Sequence, residues 1–237
     1  MFTLDKVAPW GRSFDEYRRM FVLTEDDLRR RVLGCADGPA GFNAEATRRG
    51  MRVTSCDPLY AFSAEQIRER IAATAEDILE QTRRNRDEFV WDEITSLEHL
   101  QRLRMSAMED FLADYDAGRS EGRYVAAGVP SLPFPDESFD LAICSHFLFL
   151  YSEQLGPQFH EDAIIEMCRV ASEVRIFPLI ALGAVPSPFV ERAIANMREL
   201  QYTVTIDRVP YEFQYGANEM MRIRRCLPCL TAPPSLR

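Results

Sequence analysis

Arg31-Val32-Leu33-Gly34-Cys35-Ala36-Asp37-Gly38-Pro39-Ala40-Gly41 carries a short apolar run into a turn of small residues. The segments on its carboxyl side decide the fold. Phe42 to Arg49 has the pattern of a helix closed by Gly50, and Met51 to Cys56 reads as a second strand closed by Asp57-Pro58. Strand, glycine turn, helix, strand is the opening of a parallel α/β sheet. In that setting a small-residue turn lets a ligand approach the backbone and meet amide groups at a helix start, where negative charge is favoured. Asp57 stands nineteen positions after Gly38, at a strand end where a carboxylate can accept both hydroxyls of a ribose. Each feature alone has a bland reading, a tight crossover for the glycines and an Asp-Pro turn for Asp57. In this order and spacing they point to a nucleoside cofactor.

Upstream, Ser13-x-x-Glu16 is a capping-box pattern opening a short amphipathic helix to Met20, and Thr24 with Glu25, Asp26 and Asp27 reads as another short helix. Downstream, residues 63–118 hold only helical patterns, with apolar stripes at Ile67, Ile71 and Ile78, at Ile94, Leu97, Leu100 and Leu103, and at Met108, Phe111, Leu112 and Tyr115. That stretch is too long for an ordinary one-helix crossover, so it is expected as a helical insertion between strands 2 and 3, packed on or over the sheet edge. The rest of residues 1–237 is expected to form a single domain with it. A short strand near Arg123 to Ala126, a strongly apolar strand from Phe139 to Ser145, a helix from His160 to Ala171 and a buried strand from Glu173 to Ile180 come next. Ser187-Pro188 opens a further helix, and Thr203 to Val209 with Glu219 to Arg225 reads as a closing hairpin.

Composition removes several chemistries. Lysine and arginine total 28, but Lys6 is the one lysine, so a P-loop, a Schiff-base site or a Tyr-x-x-x-Lys reductase dyad cannot be assembled. The three histidines, His99, His146 and His160, lack metal-ligand spacing, and no metal site is expected. His99 and His160 read as solvated helix positions. A net charge of −9 argues against a broad nucleic-acid footprint; the arginine runs 29–31 and 222–225 flank strands and suit ion-paired edges. No apolar run reaches the roughly 20 residues of a membrane span, and the charged start of the chain does not suit a secretory signal, so a cytoplasmic location is expected. The six cysteines form no compact framework, and Cys226-Leu-Pro-Cys229 is an isolated pair of thiols.

Two nucleoside cofactors fit the turn and Asp57. Ala36-x-Gly38-x-x-Gly41 is one residue from the dinucleotide fingerprint, but the reductase dyad is missing. Val32-Leu33-Gly34-Cys35-Ala36-Asp37-Gly38, Asp57, and Leu132-Pro133-Phe134-Pro135-Asp136-Glu137-Ser138-Phe139-Asp140 together resemble the class I S-adenosylmethionine-dependent methyltransferases, the last stretch being the most specific. The resemblance spans roughly residues 28–225 without the insertion. It implies a Rossmann-like, seven-stranded, mostly parallel sheet whose last strand is antiparallel, with S-adenosylmethionine as cofactor. It also implies positions: the backbone of Gly34, Cys35, Ala36 and Gly38 along the methionine part, Asp57 at the ribose, Pro58 and Leu59 at the adenine, and Ser145 and His146 towards the methyl group. The sequence departs from the family in three places. Gly34 stands where an acid is common, Ala36 where Gly is common, and Gly128 where an adenine-contacting Asp is common, leaving the backbone of Val129 as a substitute. The absence of Asn/Asp-Pro-Pro-Tyr after Ser145 argues against amino-methylation of nucleic acid bases.

Methyl transfer from a sulfonium asks the protein mainly for orientation and exclusion of water, and for a base only where the acceptor must lose a proton. His146 is the candidate base, with a backbone-bonded histidine at a strand end as the equal alternative; Tyr151 is a weaker candidate. Arg12 and Tyr17, ahead of the glycine turn, are candidates for contact with the cofactor carboxylate or with substrate. The expected activity is O- or N-methylation of a small-molecule acceptor, with the helical insertion as a wall or lid of its pocket. The competing readings are a noncatalytic nucleoside-cofactor-binding protein that uses the insertion to dock a partner, and an NAD-binding oxidoreductase.

Overall fold

The computed structural model describes residues 8–225. In chain order the elements are α1 (Phe14–Met20), β1 (Arg31–Cys35), α2 (Phe42–Arg48), β2 (Arg52–Cys56), α3 (Ala64–Arg84), α4 (Leu97–Ser120), β3 (Tyr124–Val125), β4 (Leu141–Ser145), α5 (Pro157–Val170) and β5 (Glu173–Phe177). A two-residue hairpin, β6 (Ile180–Ala181) with β7 (Val185–Pro186), precedes α6 (Val190–Glu199), β8 (Tyr202–Arg208) and β9 (Glu219–Arg225).

Seven strands form one sheet in the order β3-β2-β1-β4-β5-β9-β8. The first five pair parallel and β9 runs antiparallel to both its neighbours, as expected of the closing hairpin. Strands β1 and β4 lie at the centre with helices on both faces, so they are apolar almost throughout rather than alternating. The pleat still divides the core. Val32 and Ile143 join Phe14, Tyr17 and Phe42 on one face, while Leu33, Ala142 and Cys144 join Ile164, Met167 and Ala193 on the other. Each such fully buried large side chain contributes about 1.5–3 kcal/mol.

Between β2 and β3 stand two long helices; Leu97, Leu100 and Leu103 of the second apolar stripe and all of the third lie on the continuous α4, with Ile94 just ahead of it. Ser63 and Gln66 form a reciprocal capping box on α3, and Ser96 accepts from the His99 N–H at the start of α4. Ile67 and Ile71 of α3 pack with Phe111 and Tyr115 of α4 against Tyr60 and Tyr124, beside the β3 edge.

Four local expectations differ. Thr24 accepts from Asp27 and opens only a single 3-10 turn, Asp27–Arg29. Strand β5 stops at Phe177 because Pro178 has no N–H to give the ladder. The α6 helix begins at Val190, with Ser187 accepting instead from the Phe189 N–H in the turn before it. His160 is not solvated: it is buried inside α5, with its ring nitrogens against the carbonyls of Gly156 and Leu148. Both arginine runs are ion-paired: Arg29 to Asp26, Arg30 to Asp27 and Glu173, Arg31 to Asp140, Arg222 to Asp207 and Glu173, Arg224 to Glu173, and Arg225 to Glu137. Among the described residues no helix is long and apolar enough to cross a membrane. Lys6, Cys226 and Cys229 lie outside the described residues.

Candidate functional site

The carboxyl ends of β1, β2 and β4 open into a cavity of about 390 Å³, within the usual range of small-molecule sites. The β1–α2 turn supplies its floor. Ala36 takes a positive φ of 56°, a strained conformation for a residue with a Cβ, and its N–H is held by the Cys56 carbonyl at 2.9 Å. Asp57, at the end of β2, accepts from the Gly38 N–H at 2.9 Å and the Leu59 N–H at 2.7 Å. Its two oxygens retain free lone pairs on the cavity side of those bonds. Burial raises the Asp57 pKa from the usual carboxylate value, opposed by these two backbone bonds.

Ala36, Gly38, Asp57, Pro58, Leu59, Val129, Ser145, His146, Arg12, Tyr17 and Tyr151 all line this one cavity. Gly34 and Cys35 do not: they lie in the strand beneath, Cys35 with its free thiol buried beside Cys56 and Cys144. Burial and neighbouring groups raise the thiol pKa values of Cys35 and Cys144, and both pack as neutral apolar groups.

The structure adds Asp37, which in the sequence reads only as part of the turn. Its carboxylate accepts from the Tyr17 hydroxyl at 2.9 Å and the Ser55 hydroxyl at 2.6 Å. A Cβ on Gly34 would lie 1.8 Å from Asp37 Oδ2, so the space of a side chain at 34 is filled by the carboxylate from 37. The absence of a side chain at Gly34 is thus what makes room for the Asp37 carboxylate. Burial, with Asp57 nearby, raises the Asp37 pKa to about 6 despite the two hydroxyl donors. Among the described residues no cation forms an ion pair with it.

At the end of β4, His146 has a positive φ of 50°; its N–H donates to the Phe177 carbonyl at 2.7 Å, and its Nδ1 lies 2.9 Å from Ser145 Oγ. Burial and then the charges of Arg12 and Arg104 push its pKa well below 6.5, so the imidazole is neutral at pH 7. The Tyr17 phenol, raised by burial and by Asp37, stays protonated, which suits a hydrogen-bond donor and not a base. Tyr151 accepts from the Ala8 N–H at 3.2 Å.

The segment before α1 crosses over the glycine turn: a Cβ on Gly11 would meet the Pro39 carbonyl oxygen at 2.1 Å, so only glycine permits this approach. The far wall comes from α3 and α4, through Ile78, Thr82, Leu100 and Arg104. Arg104 is fully buried and its Nη1 donates to both carboxylate oxygens of Glu16, each at 2.7 Å. Glu16 also accepts from the Tyr211 hydroxyl at 2.9 Å and the Ser13 N–H at 2.9 Å. Burial alone would raise the Glu16 pKa, but Arg104 and Arg12 hold it at about 2. Residues 16 and 104 are 88 positions apart, and nothing local in either helix pattern marks the pair.

A sequence profile described as a methyltransferase domain matches residues 92–173, which include α4, β3, β4 and α5. The uncharacterized protein MJ0045 of Methanocaldococcus jannaschii is 34% identical over 217 residues, covering 91% of this chain and 95% of its own. Among solved structures, the 1,6-didemethyltoxoflavin-N1-methyltransferase of Burkholderia thailandensis with bound S-adenosylhomocysteine is 13% identical, with a TM-score of 0.48, over 90% of this chain and 78% of that one. The magnesium protoporphyrin IX methyltransferase of Synechocystis is 9% identical, with a TM-score of 0.49, over 90% and 82%. The methyltransferase-domain match, the relative aligned over nearly its whole length and the strand order with its antiparallel β9 agree: the chain belongs to the class I S-adenosylmethionine-dependent methyltransferases.

Proposed function

We propose that this protein transfers a methyl group from S-adenosylmethionine to a small-molecule acceptor held in the cavity between the strand ends and the α3–α4 wall. The observation that carries the reading is the convergence of two carboxylates, Asp37 and Asp57, which form no ion pair among the described residues, with His146 on one cavity at the carboxyl ends of β1, β2 and β4. The residues fit the cofactor. Asp57 has lone pairs free for the two ribose hydroxyls, Pro58 and Leu59 border the adenine, and the Val129 backbone serves its edge. Ala36 and Gly38 present backbone to the methionine part, while Gly34 and Cys35 set the turn from below.

Asp37 does the work of the acid absent at Gly34. Without a cationic partner it holds its proton up to about pH 6; the positive ammonium and sulfonium of the cofactor are the groups that would favour its ionised form. When bound, the cofactor supplies an electrophilic methyl on a sulfonium. The protein's own share is orientation by the turn and Asp57, exclusion of water by the segment over Gly11 and by α3 and α4, and acceptance of the acceptor's proton at a ring nitrogen of His146. The internal pairing of both arginine runs supports a small acceptor over a nucleic acid.

Calorimetry with S-adenosylmethionine tests the reading. The wild-type chain should bind at one site, Asp57→Ala should lose that binding, and NAD should not bind. Binding of NAD without S-adenosylmethionine would overturn the proposal. A screen of small acceptors for release of S-adenosylhomocysteine then tests the chemistry.

A further inference from the structure

Two guanidiniums in the cavity have hydrogen-bonding capacity that the fold leaves unused. Arg104 gives Nη1 to Glu16 and interacts with the Tyr211 hydroxyl, but among the described residues its Nε and Nη2 are buried with no acceptor in hydrogen-bonding geometry. Arg12 gives Nη1 to the Trp10 carbonyl at 2.6 Å, and its Nε is likewise buried without one. Both side chains line the cavity. A buried N–H of a charged group left in this state is costly, and a protein tolerates it where a ligand completes the bonding.

The local charge is also unbalanced. Arg12 and Arg104 repel each other and face one carboxylate, Glu16, whose two oxygens already accept from Arg104, Tyr211 and Ser13. Asp37 is turned to Tyr17 and Ser55, on the glycine-turn side. Tyr17, Tyr151 and Tyr211 are protonated phenols, and His146 is neutral. Among the described residues Glu16 balances one of these two charges and the other remains without a partner beside His146, in a cavity whose lining includes the apolar Leu100, Ile78, Phe89 and Phe213.

We infer that the methyl acceptor is an anion, a small molecule with an apolar body and a carboxylate or similar oxyanion that Arg12 and Arg104 hold beside His146. This rests on the methyl-transfer reading above. The same guanidiniums could instead meet the carboxylate of the cofactor's methionine part. The partners of Arg104 favour the acceptor: it interacts with Glu16, Tyr211 and His146, and neither Asp37 nor Asp57 is among its partners. A planar guanidinium with Nε and Nη2 both free presents the paired donors that match a carboxylate.

The test uses the full chain saturated with S-adenosylhomocysteine, so that the methionine carboxylate is already seated, and titrates it with benzoate, benzamide and inorganic sulfate. Benzoate should bind at least tenfold more tightly than the neutral, equally shaped benzamide. Arg104→Lys keeps a cation for Glu16 but removes the paired donors, and should weaken benzoate at least tenfold with S-adenosylhomocysteine affinity within twofold of wild type. Arg12→Lys, which leaves the Glu16 pair intact, should weaken it similarly and serves if Arg104→Lys does not fold. The inference falls if neither benzoate nor sulfate binds, if benzamide equals benzoate, or if benzoate binds only the cofactor-free chain and is displaced by S-adenosylhomocysteine. Failure of S-adenosylhomocysteine to bind at all would instead sink the methyltransferase reading.

Discussion

Replacing Asp37 by asparagine should make the cofactor-free protein more stable while damaging its binding of S-adenosylmethionine. The folded-state pKa of Asp37 is raised from 3.8 to about 6. At pH 7 the unfolded chain has released this proton and the folded chain must give it up against burial, so the group destabilises the fold by about 3 kcal/mol. The sign is opposite to that of a salt-bridged acid: because the native state holds the proton longer, stability rises as pH falls from 7 towards 4. Asparagine removes the charge but not the contacts. Its carbonyl still accepts from Tyr17, while its amide faces a Ser55 hydroxyl that already accepts from Asn43 Nδ2 at 3.0 Å. The displaced Ser55 proton costs about 1 kcal/mol. The net gain is about 2 kcal/mol at pH 7, or about 4–8 °C in Tm for a chain of this size. The assay is thermal unfolding of both proteins without cofactor at pH 7, 6 and 5. The advantage of Asp37→Asn should shrink by about 1.3 kcal/mol between pH 7 and 5. An Asp37→Asn protein less stable than wild type at pH 7, or an advantage independent of pH, would refute the reasoning. Calorimetry on the same samples should show S-adenosylmethionine bound at least tenfold more weakly.

Glu16 gives the opposite linkage. Its pKa is lowered from 4.5 to about 2 by Arg104 and Arg12 against burial, so about 3 kcal/mol of stability is present above pH 4.5 and lost as pH falls towards 2. Glu16→Gln should remove that acid-limb dependence in urea titrations, and an unchanged limb would contradict it. His146→Gln should leave S-adenosylmethionine affinity within twofold and lower turnover on a proton-bearing acceptor by about 10²-fold or more; unchanged turnover in an assay of S-adenosylhomocysteine release would remove His146 from the chemistry.

The parts of the molecule legible in its sequence are those set by neighbours along the chain. The apolar run into Gly34–Gly38, the Asp57-Pro58 strand end and the alternation of the closing hairpin each carry their own period or turn chemistry and mark out their elements, whereas the strand order is set by pairings distant in the chain. Ser145 and His146 are legible because they stand at the end of the most apolar strand and directly after it. Asp37 stands inside the decisive stretch yet reads as a turn residue, because its role depends on the side chain that Gly34 lacks. His160 reads as solvated although Ile164, Met167 and Cys168 share its helix face in a buried stripe; one polar residue at the head of that stripe hides its direction. The Glu16–Arg104 pair and the unpartnered donors beside it join elements on opposite sides of β1 and β2 in the chain, and only the fold brings them together.

In the proposed complex Asp57 and Asp37 cradle S-adenosylmethionine at the carboxyl ends of β1 and β2. A crystal structure of the protein with S-adenosylhomocysteine tests it most directly. The account predicts both ribose hydroxyls within hydrogen-bonding distance of the Asp57 carboxylate, and the amino group of the homocysteine part on the side of Asp37. A ligand seated elsewhere, or a ribose that makes no contact with Asp57, would contradict it.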